Sequence, residues 1–381
     1  MENFVVSARK YRPQNFKSVV GQEHITTTLK NAIKNNHLAQ SFLFCGPRGV
    51  GKTTCARILA KTINCTNRTE DFEACGECES CKAFANNASF NIYELDAASN
   101  NSVDDIRNLV DQVRYAPQQG SYKVYIIDEV HMLSAAAFNA FLKTLEEPPS
   151  YAIFILATTE KHKILPTILS RCQIFDFNRI QIRDISKHLA YIAEQENVEF
   201  EDEALRLIAT KADGALRDAL SIFDLIVTYS AGNRVTYAET IENLHILDYD
   251  YYFKVVDAFM AEDASQVMLI FDEILKKGFD AHNFIVGLAS HLRDLLVVKD
   301  PATVELLEVS EDAQNKYLEQ SKNATVSFLL SALNIINQAD VNYRMSKNQR
   351  LHVELALMKV SKLQRAFKLT ALAAAESKKK A

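Results

Sequence analysis

One short run of residues constrains the fold of this chain more than any other. Gly46–Thr53 reads Gly-Pro-Arg-Gly-Val-Gly-Lys-Thr, between an apolar strand-like segment (Ser41–Phe44) and a helix-like segment (Gly51–Ile63). A strand, a glycine-rich loop and a helix in this order are typical of a phosphate-binding loop in a parallel α/β fold. The alternative, a glycine turn with a chance lysine, is disfavoured by the two flanking segments.

Each residue type in this loop has a chemical reason. The glycines permit backbone angles that turn several N–H groups toward phosphate oxygens, and the helix N-terminus adds a partial positive charge. We expect Lys52 to bridge the β and γ phosphates of ATP and Thr53 to ligate Mg²⁺. The predicted nucleotide-binding residues of the loop are Gly46, Pro47, Arg48, Gly49, Val50, Gly51, Lys52, Thr53 and Thr54.

A second apolar segment, Lys123–Asp128, ends in the acidic pair Asp128 and Glu129. Asp128 would lie near the hydration shell of the metal ion, and Glu129 would polarise a water for in-line attack on the γ phosphate. An acidic pair at the end of a strand could instead cap a helix or face solvent. In combination with the phosphate loop, the pair indicates ATP hydrolysis rather than nucleotide binding alone.

Four of the seven cysteines have the spacing Cys65-x9-Cys75-x2-Cys78-x2-Cys81. Four thiolates at this spacing suit a tetrahedral Zn²⁺ site. Two alternatives are an iron–sulfur cluster and four unligated thiols. Zinc is favoured over the cluster because no Cys-Pro follows Cys81 and the fourth thiol lies upstream. A helix of about 13 residues separates these thiols from the phosphate loop by about 20 Å, so the site is expected to be structural.

Length and pattern predict three domains. The 381 residues exceed what one compact core needs. Residues 1–179 alternate strand-like and helix-like segments, including the apolar run Tyr151–Ala157, which predicts a parallel sheet covered by helices. From about Ile180 only helices are expected: a helical lid over 180–246, and an all-helical third domain over 247–368. The four-cysteine module would occupy about 64–82, and the Ala-rich tail at 369–381 is expected to be flexible.

Composition excludes several classes of protein. Hydrophobic residues make up 48% and charged residues 24%, with no segment long enough to cross a bilayer, as in soluble globular proteins. No secretion signal is visible, and an odd number of cysteines, four with metal spacing, indicates reduced thiols and a cytoplasmic location. A net charge of −5 argues against non-specific coating of nucleic acid, so any DNA contact would use a local patch or several subunits.

Taken together, these motifs resemble the gamma/tau family of bacterial DNA polymerase III subunits, which are AAA+ ATPases of the sliding-clamp loader. The resemblance extends from Tyr11 through the lid and more loosely through the third domain. Besides the phosphate loop and the four cysteines, it rests on Asp128–Ser134 (Asp-Glu-Val-His-Met-Leu-Ser), Phe141–Pro149, Ala157–Thr159 (Ala-Thr-Thr), Ser170–Cys172 (Ser-Arg-Cys) and Gly214–Asp218 (Gly-Ala-Leu-Arg-Asp).

The resemblance implies further site residues. Thr159 would be the sensor of the γ phosphate at the end of its strand. Arg171 would be an arginine finger that reaches the ATP of a neighbouring subunit, and Arg217 of the lid would contact the phosphates of its own chain. Tyr11 and Arg12, with Val19–Gln22, match the stretch that packs near adenine.

It also implies an assembly. The chain would work in a hetero-oligomer with a pentameric core, alongside further gamma/tau copies, delta and delta-prime, as part of a DNA polymerase III holoenzyme. Its partners would be the sliding clamp and primed DNA, with no membrane, and the third domain would form the collar that holds the subunits together. The helix after Asn100–Ser102, which bears Arg107, and Lys143 are candidate DNA contacts; a solvated helix cap is an equal interpretation of the former. The absence of a charged linker and polymerase-binding domain predicts a gamma-like product or a truncated tau.

Two rival functions share part of this pattern. An AAA+ branch-migration helicase would have the same loop and sensors but no need of the four cysteines. A binding scaffold could hold ATP as a structural ligand only, but it would not need the carboxylate of Glu129 or the guanidinium of Arg171. The leading prediction is therefore an assembled ATPase that loads a ring clamp on DNA.

Overall fold

A computed structural model describes residues 5–117, 121–230, 233–244, 247–307 and 311–367. The chain divides into two compact units, residues 1–237 and 238–381. The predicted flexible tail at 369–381 lies outside the described residues. In the part of the chain that the structure covers, no helix is both long enough and apolar enough to cross a membrane.

The first unit contains a five-stranded parallel sheet, and the three strands predicted from apolar runs are confirmed. The spatial order is β2-β3-β4-β1-β5. Strands β1 and β4 are buried at every position, since helices cover both faces of a parallel sheet. The strands are β1 (Ser41–Cys45), β2 (Ile92–Asp96), β3 (Lys123–Asp128), β4 (Ala152–Thr158) and β5 (Gln173–Asp176).

The described residues up to β5 form seven α-helices. Their ends follow local chemistry: Ser134 caps the helix after β3 by accepting a 3.2 Å hydrogen bond from the N–H of Ala137, and Pro148 follows two residues after its last residue. The helices are α1 (Ser7–Lys10), α2 (Glu23–Lys34), α3 (Lys52–Ile63), α4 (Glu79–Ala85), α5 (Val103–Val113), α6 (Ala135–Glu146) and α7 (Pro166–Leu169).

The two faces of the sheet carry separate hydrophobic cores. Side chains alternate along each strand, so Phe42 and Phe44 of β1 pack on the face that α2 and α3 cover, while Leu43 packs on the opposite face with α5 and α6. On that second face Phe141 of α6 meets Phe154 of β4 edge to face, with ring centroids 5.2 Å apart. This double packing fixes the carboxyl ends of the strands at one edge, where the site residues lie.

Three lid helices follow: α8 (Ile182–Gln195), α9 (Asp202–Lys211) and α10 (Leu216–Tyr229). Asn197, Asp213 and Gly214 adopt positive φ angles of 54°, 49° and 79°, which confirms the predicted breaks between them. The expectation that strands end near Ile180 is wrong in one detail, because β6 (Glu199–Phe200) and β7 (Arg234–Val235) pair in parallel. Strands of two residues are too short for an alternating pattern to reveal.

The second unit is helical. Its core includes Phe259, Phe271, Phe284 and Phe328, each almost completely buried. His291 of the same unit is also buried, with its ring nitrogens 2.9 Å from the Tyr317 hydroxyl and 3.0 Å from Oε1 of Gln320. Burial lowers the pKa of His291 to about 4, which keeps it neutral. The remaining helices are α11 (Tyr237–Asn243), α12 (Tyr249–Met260), α13 (Ala264–Lys276), α14 (Ala281–Val297), α15 (Glu311–Asn323), α16 (Val326–Tyr343) and α17 (Gln349–Ser361).

Candidate functional site

The loop between β1 and α3 has a backbone that only glycine can adopt at its key positions. Gly46, Gly49 and Gly51 have φ angles of 147°, 78° and 103°. At Gly46 a Cβ atom would also lie 2.4 Å from the carbonyl oxygen of Phe177, so no larger residue fits there. The loop before α3 thus has the backbone that the predicted phosphate-binding loop requires.

Lys52 is held inside this loop. The residue is only 5% exposed, and its Nζ donates hydrogen bonds to the carbonyl oxygens of Gly46 (2.8 Å) and Pro47 (2.7 Å). Burial lowers the pKa of Lys52, although the nearby carboxylates of Glu129 and Asp128 act in the opposite direction. The ammonium group is therefore positioned to exchange carbonyl oxygens for phosphate oxygens, which bind it more strongly.

Two oxygen ligands meet beside the loop. Thr53 Oγ1, in the first turn of α3, donates a 2.5 Å hydrogen bond to Asp128 Oδ2, at the end of β3. A hydroxyl and a carboxylate are ligands that Mg²⁺ accepts, and the two atoms converge next to the phosphate loop. These residues therefore fit the predicted magnesium site.

Glu129 and Thr159 lie side by side at the same edge of the sheet. Glu129 has a φ of 47°, and its N–H donates to Asp128 Oδ1 at 2.9 Å. Its Oε2 accepts hydrogen bonds from both the hydroxyl (2.9 Å) and the N–H (3.2 Å) of Thr159. Neighbouring parallel strands, β3 and β4, thus bring the predicted base and the predicted sensor into direct contact.

His131 also belongs to this cluster, although the sequence pattern alone gives it no role. Its side chain is 7% exposed, and its Nδ1 lies 3.3 Å from Glu129 Oε2 and 3.1 Å from Thr158 Oγ1. Its Nε2 lies 3.6 Å from a carboxylate oxygen of Glu160. The position two residues after Glu129 is the one signal that could have pointed to it.

The N-terminal segment and the lid bring two arginines to the loop. Arg12 Nε donates to Thr54 Oγ1 at 3.2 Å, and burial, followed by the charge of Arg57, lowers the pKa of Arg12. The backbone N–H of Arg217 donates to the Gly49 carbonyl at 3.3 Å. The predicted nucleotide contacts Arg12 and Arg217 are therefore close to the loop.

Tyr11 has a different partner. Its hydroxyl donates to Glu196 at the end of the first lid helix, and burial together with that hydrogen bond raises the pKa of Tyr11 to about 12. Lys10 forms an ion pair with the same carboxylate at 2.5 Å. In this arrangement Tyr11 joins the N-terminal segment to the lid, and its contact with a nucleotide stays a prediction.

The side chain of Arg171 makes its contacts with residues outside its own phosphate loop. Its guanidinium pairs with Glu146 of α6 at 2.6 Å and donates to the Thr167 carbonyl at 2.6 Å. The side chain is 32% exposed, so it remains accessible to another protein.

The start of α5, a candidate for DNA contact, carries its own cap. Ser102 and Asp105 form a capping box, and Arg107 pairs with Asp104 at 3.4 Å. Two carboxylates in the first turn reduce the attraction of this helix end for phosphate. DNA contacts by Arg107, and by Lys143 on α6, stay predictions.

The four cysteine sulfurs form a compact cluster. All lie within 4.8 Å of one another, with Cys65 Sγ 3.5 Å from Cys75 Sγ and 3.9 Å from Cys78 Sγ. Four thiolates around one Zn²⁺, at Zn–S distances of about 2.3 Å, would be separated by about 3.8 Å. A multi-iron cluster would hold its cysteine sulfurs farther apart, so the arrangement fits a single tetrahedral ion.

Backbone hydrogen bonds prepare two of these thiols for a metal. Burial alone would raise the pKa of Cys78, but hydrogen bonds with the backbone of Thr66 and Cys81 and with neighbouring side chains lower it to about 5. Backbone hydrogen bonds also lower the pKa of Cys75. These contacts favour the thiolate, which is the form that binds Zn²⁺.

The fold and the loop define the class of P-loop nucleotide-binding proteins with a lid. Comparison with known protein families narrows this class further. The family model "DNA polymerase III, delta subunit" matches residues 21–181. "DNA polymerase III clamp loader subunit, ATPase lid domain" matches 184–232, and "DNA polymerase III subunits gamma and tau domain III" matches 235–373.

Individual relatives agree with these matches. DNA polymerase III subunit gamma of Buchnera aphidicola is 33% identical, over 94% of this chain and 99% of that protein. The tau subunits of Bacillus subtilis and Escherichia coli are 40% and 37% identical over 92% and 94% of this chain. The match spans only 62% and 55% of those two longer proteins. The chain belongs to the gamma/tau family of DNA polymerase III subunits.

Proposed function

We propose that this chain is the AAA+ ATPase subunit of a bacterial clamp loader, which uses ATP to open a sliding clamp and load it on primed DNA. The observation that carries the ATPase is the convergence of Lys52, Thr53, Asp128, Glu129 and Thr159 at one edge of the sheet. Membership of the gamma/tau family, together with the lid match, supports the clamp-loading role.

The phosphate loop binds the triphosphate. Lys52 and the N–H groups at the start of α3 hold the β and γ phosphates. Thr53 would ligate Mg²⁺ and Asp128 would lie near its hydration shell; when bound, the ion would neutralise negative charge that develops on the phosphate oxygens. Arg12, which bonds to Thr54, and Arg217, whose backbone N–H bonds to Gly49, add positive charge near the same loop.

Hydrolysis depends on the Glu129 carboxylate. In this structure both donors of Thr159 are used by Glu129. A γ phosphate offers Thr159 a competing acceptor, which releases Glu129 to accept a proton from the attacking water. The oxygen of that water bonds to the γ phosphorus as the bond to the β-phosphate oxygen breaks. The Thr159 contact thus makes the base available only when the correct nucleotide is bound.

The assembly supplies the remaining parts. Arg171 acts on the ATP of a neighbouring subunit, since its exposed guanidinium has partners at the surface rather than at its own loop. The proposed domains are 1–179 for nucleotide binding with the zinc module, 180–246 for the lid and 247–368 for the collar. Tyr11 acts near adenine, and the partners are further gamma/tau copies, delta, delta-prime, the clamp and primed DNA, in the cytoplasm.

The test is ATP turnover of the chain, alone and mixed with delta, delta-prime, clamp and primed DNA. Glu129→Gln should keep nucleotide binding and lower turnover by about 10²- to 10⁴-fold, because the amide cannot take the proton. Glu203→Gln, on the exposed surface of α9, is the matched control. Unchanged turnover in Glu129→Gln would exclude this base. Turnover that does not respond to clamp and DNA would argue against clamp loading while leaving the ATPase intact.

A further inference from the structure

A buried glutamate connects the four-cysteine loop to the N-terminal segment. Glu73, two residues before Cys75, is 8% exposed. Its Oε2 accepts the N–H of Phe16 at 3.0 Å and its Oε1 accepts the N–H of Lys17 at 3.1 Å. Lys30 of α2 forms an ion pair with the same carboxylate at 2.7 Å. The Glu73 side chain, which belongs to the four-cysteine loop, thus accepts two backbone hydrogen bonds from the N-terminal segment and pairs with the ammonium group of Lys30.

The segment that Glu73 holds is the one that frames the phosphate loop. Upstream of Phe16, Arg12 reaches Thr54 at 3.2 Å. Downstream, Gln22 is fully buried, and its Nε2 donates to the carbonyl oxygens of Asn178 (2.7 Å) and Val50 (3.4 Å). The segment therefore touches the loop at two points, and Glu73 anchors it between them.

The position of Glu73 depends in turn on the loop that the cysteines close. Within that loop its N–H bonds to Thr69 Oγ1 at 3.1 Å, and its carbonyl accepts the N–H of Thr69 at 3.0 Å. Cys65 and Cys75 bracket these residues, and their sulfurs lie 3.5 Å apart. A tetrahedral ion would fix both ends of the loop, whereas without an ion no covalent or coordinate bond would join the two ends.

From this geometry we infer that Glu73 is a positioning residue that couples metal binding at the four cysteines to nucleotide binding at the phosphate loop. The inference rests on the proposed nucleotide-binding function and adds a regulatory link to it. The ion need not reach the nucleotide, because the carboxylate carries its effect to the backbone at Phe16 and Lys17 and from there to Arg12 and Gln22. Removing either Glu73 or the metal should loosen the same segment.

The test measures the Kd of a fluorescent ATP analogue with Mg²⁺ on the full chain, with and without removal of zinc by a zinc-selective chelator under reducing conditions. Glu73→Ala should weaken nucleotide binding by about fivefold or more while keeping one zinc ion per chain. Zinc removal should weaken binding of the unaltered chain by a similar factor and should have little further effect in Glu73→Ala. Glu73→Gln keeps one acceptor oxygen, so its Kd should lie between those of the unaltered chain and Glu73→Ala. It replaces the alanine variant if that variant does not fold.

Glu70→Gln makes the same chemical change at an exposed position of the same loop and should leave the Kd unaltered. Linkage requires that the nucleotide also tighten zinc by the same factor, which competition with the chelator measures. The inference is overturned if Glu73→Ala binds nucleotide like the unaltered chain, or if zinc removal weakens both proteins equally. A chain that binds no ATP analogue at all would instead refute the proposed function.

Discussion

The two ends of α3 prepare their ligand sites in different ways. At the N-terminal end, Lys52 is held by carbonyl oxygens of the loop, and Thr53 is bonded to Asp128, so the chain itself satisfies the groups that would bind phosphate and Mg²⁺. At the C-terminal end, the four cysteine sulfurs lie within 4.8 Å of one another, an arrangement that suits coordination of one metal ion. The helix of 12 residues spans about 18 Å between the two sites.

The two sites therefore owe their geometry to different parts of the structure. The phosphate loop is built on buried strands of the central sheet, so its geometry belongs to the fold. The cysteine module is a loop outside the sheet, and its geometry depends on its own cross-link. We therefore expect loss of a ligand-binding side chain at the first site to affect ligand binding before stability, and loss of a metal ligand at the second to affect stability first.

The largest effect is expected from Lys52→Met. The change removes the buried ammonium of Lys52, which in the proposed complex would contact the phosphates, and losing such a partner costs about 3–5 kcal/mol, or at least about 100-fold in nucleotide affinity. Zinc content and melting temperature should stay close to those of the unaltered chain. Isothermal titration with ATP measures this, and Lys61→Met at the other end of α3 is the control. An affinity within threefold of the original would place the triphosphate elsewhere.

Loss of the metal should have the next largest effect, and on stability. Cys78→Ser should abolish stoichiometric zinc binding and lower the melting temperature of the first unit by about 5–10 °C, because a structural zinc site contributes folding free energy directly. Calorimetry paired with metal analysis checks this. Cys172→Ser, outside the cluster, should retain the metal. Iron in the purified protein, or a Cys78→Ser variant as stable as the original, would contradict the zinc assignment.

The smallest expected effect is a difference in the free energy of unfolding between two glycine-to-alanine variants, one in each site. Gly46→Ala would place a Cβ 2.4 Å from the Phe177 carbonyl oxygen at a φ of 147°, and should cost about 2–4 kcal/mol in free energy of unfolding. Gly76→Ala in the cysteine loop has a φ of 78° but no atom within 4 Å of the new Cβ, and should cost about 1–2 kcal/mol. Urea unfolding compares them. Equal costs would mean that the phosphate loop is as adaptable as the cysteine loop.

Much of the nucleotide site could be predicted because its residues lie in short contiguous motifs. Strand β3 ends where the apolar run Lys123–Asp128 ends, and Ser134 caps α6 as its residue type suggests. The short outer strands β2 and β5 carry no continuous apolar run, since several of their side chains are exposed, and they were not predicted from the pattern. Burial on both faces is what gives a strand its signal, and the edges of the sheet lack it.

The order of residues along the chain already indicates the chemistry of this protein: a glycine loop with a lysine, an acidic pair at a strand end, and four thiols at metal spacing. The contacts between distant groups, such as Thr159 with Glu129 and Glu73 with the backbone at Phe16 and Lys17, could be read only from the folded chain. The physical reason is that a motif records local geometry, whereas a hydrogen bond between residues 57 positions apart exists only after the sheet, the helices and the loop have packed.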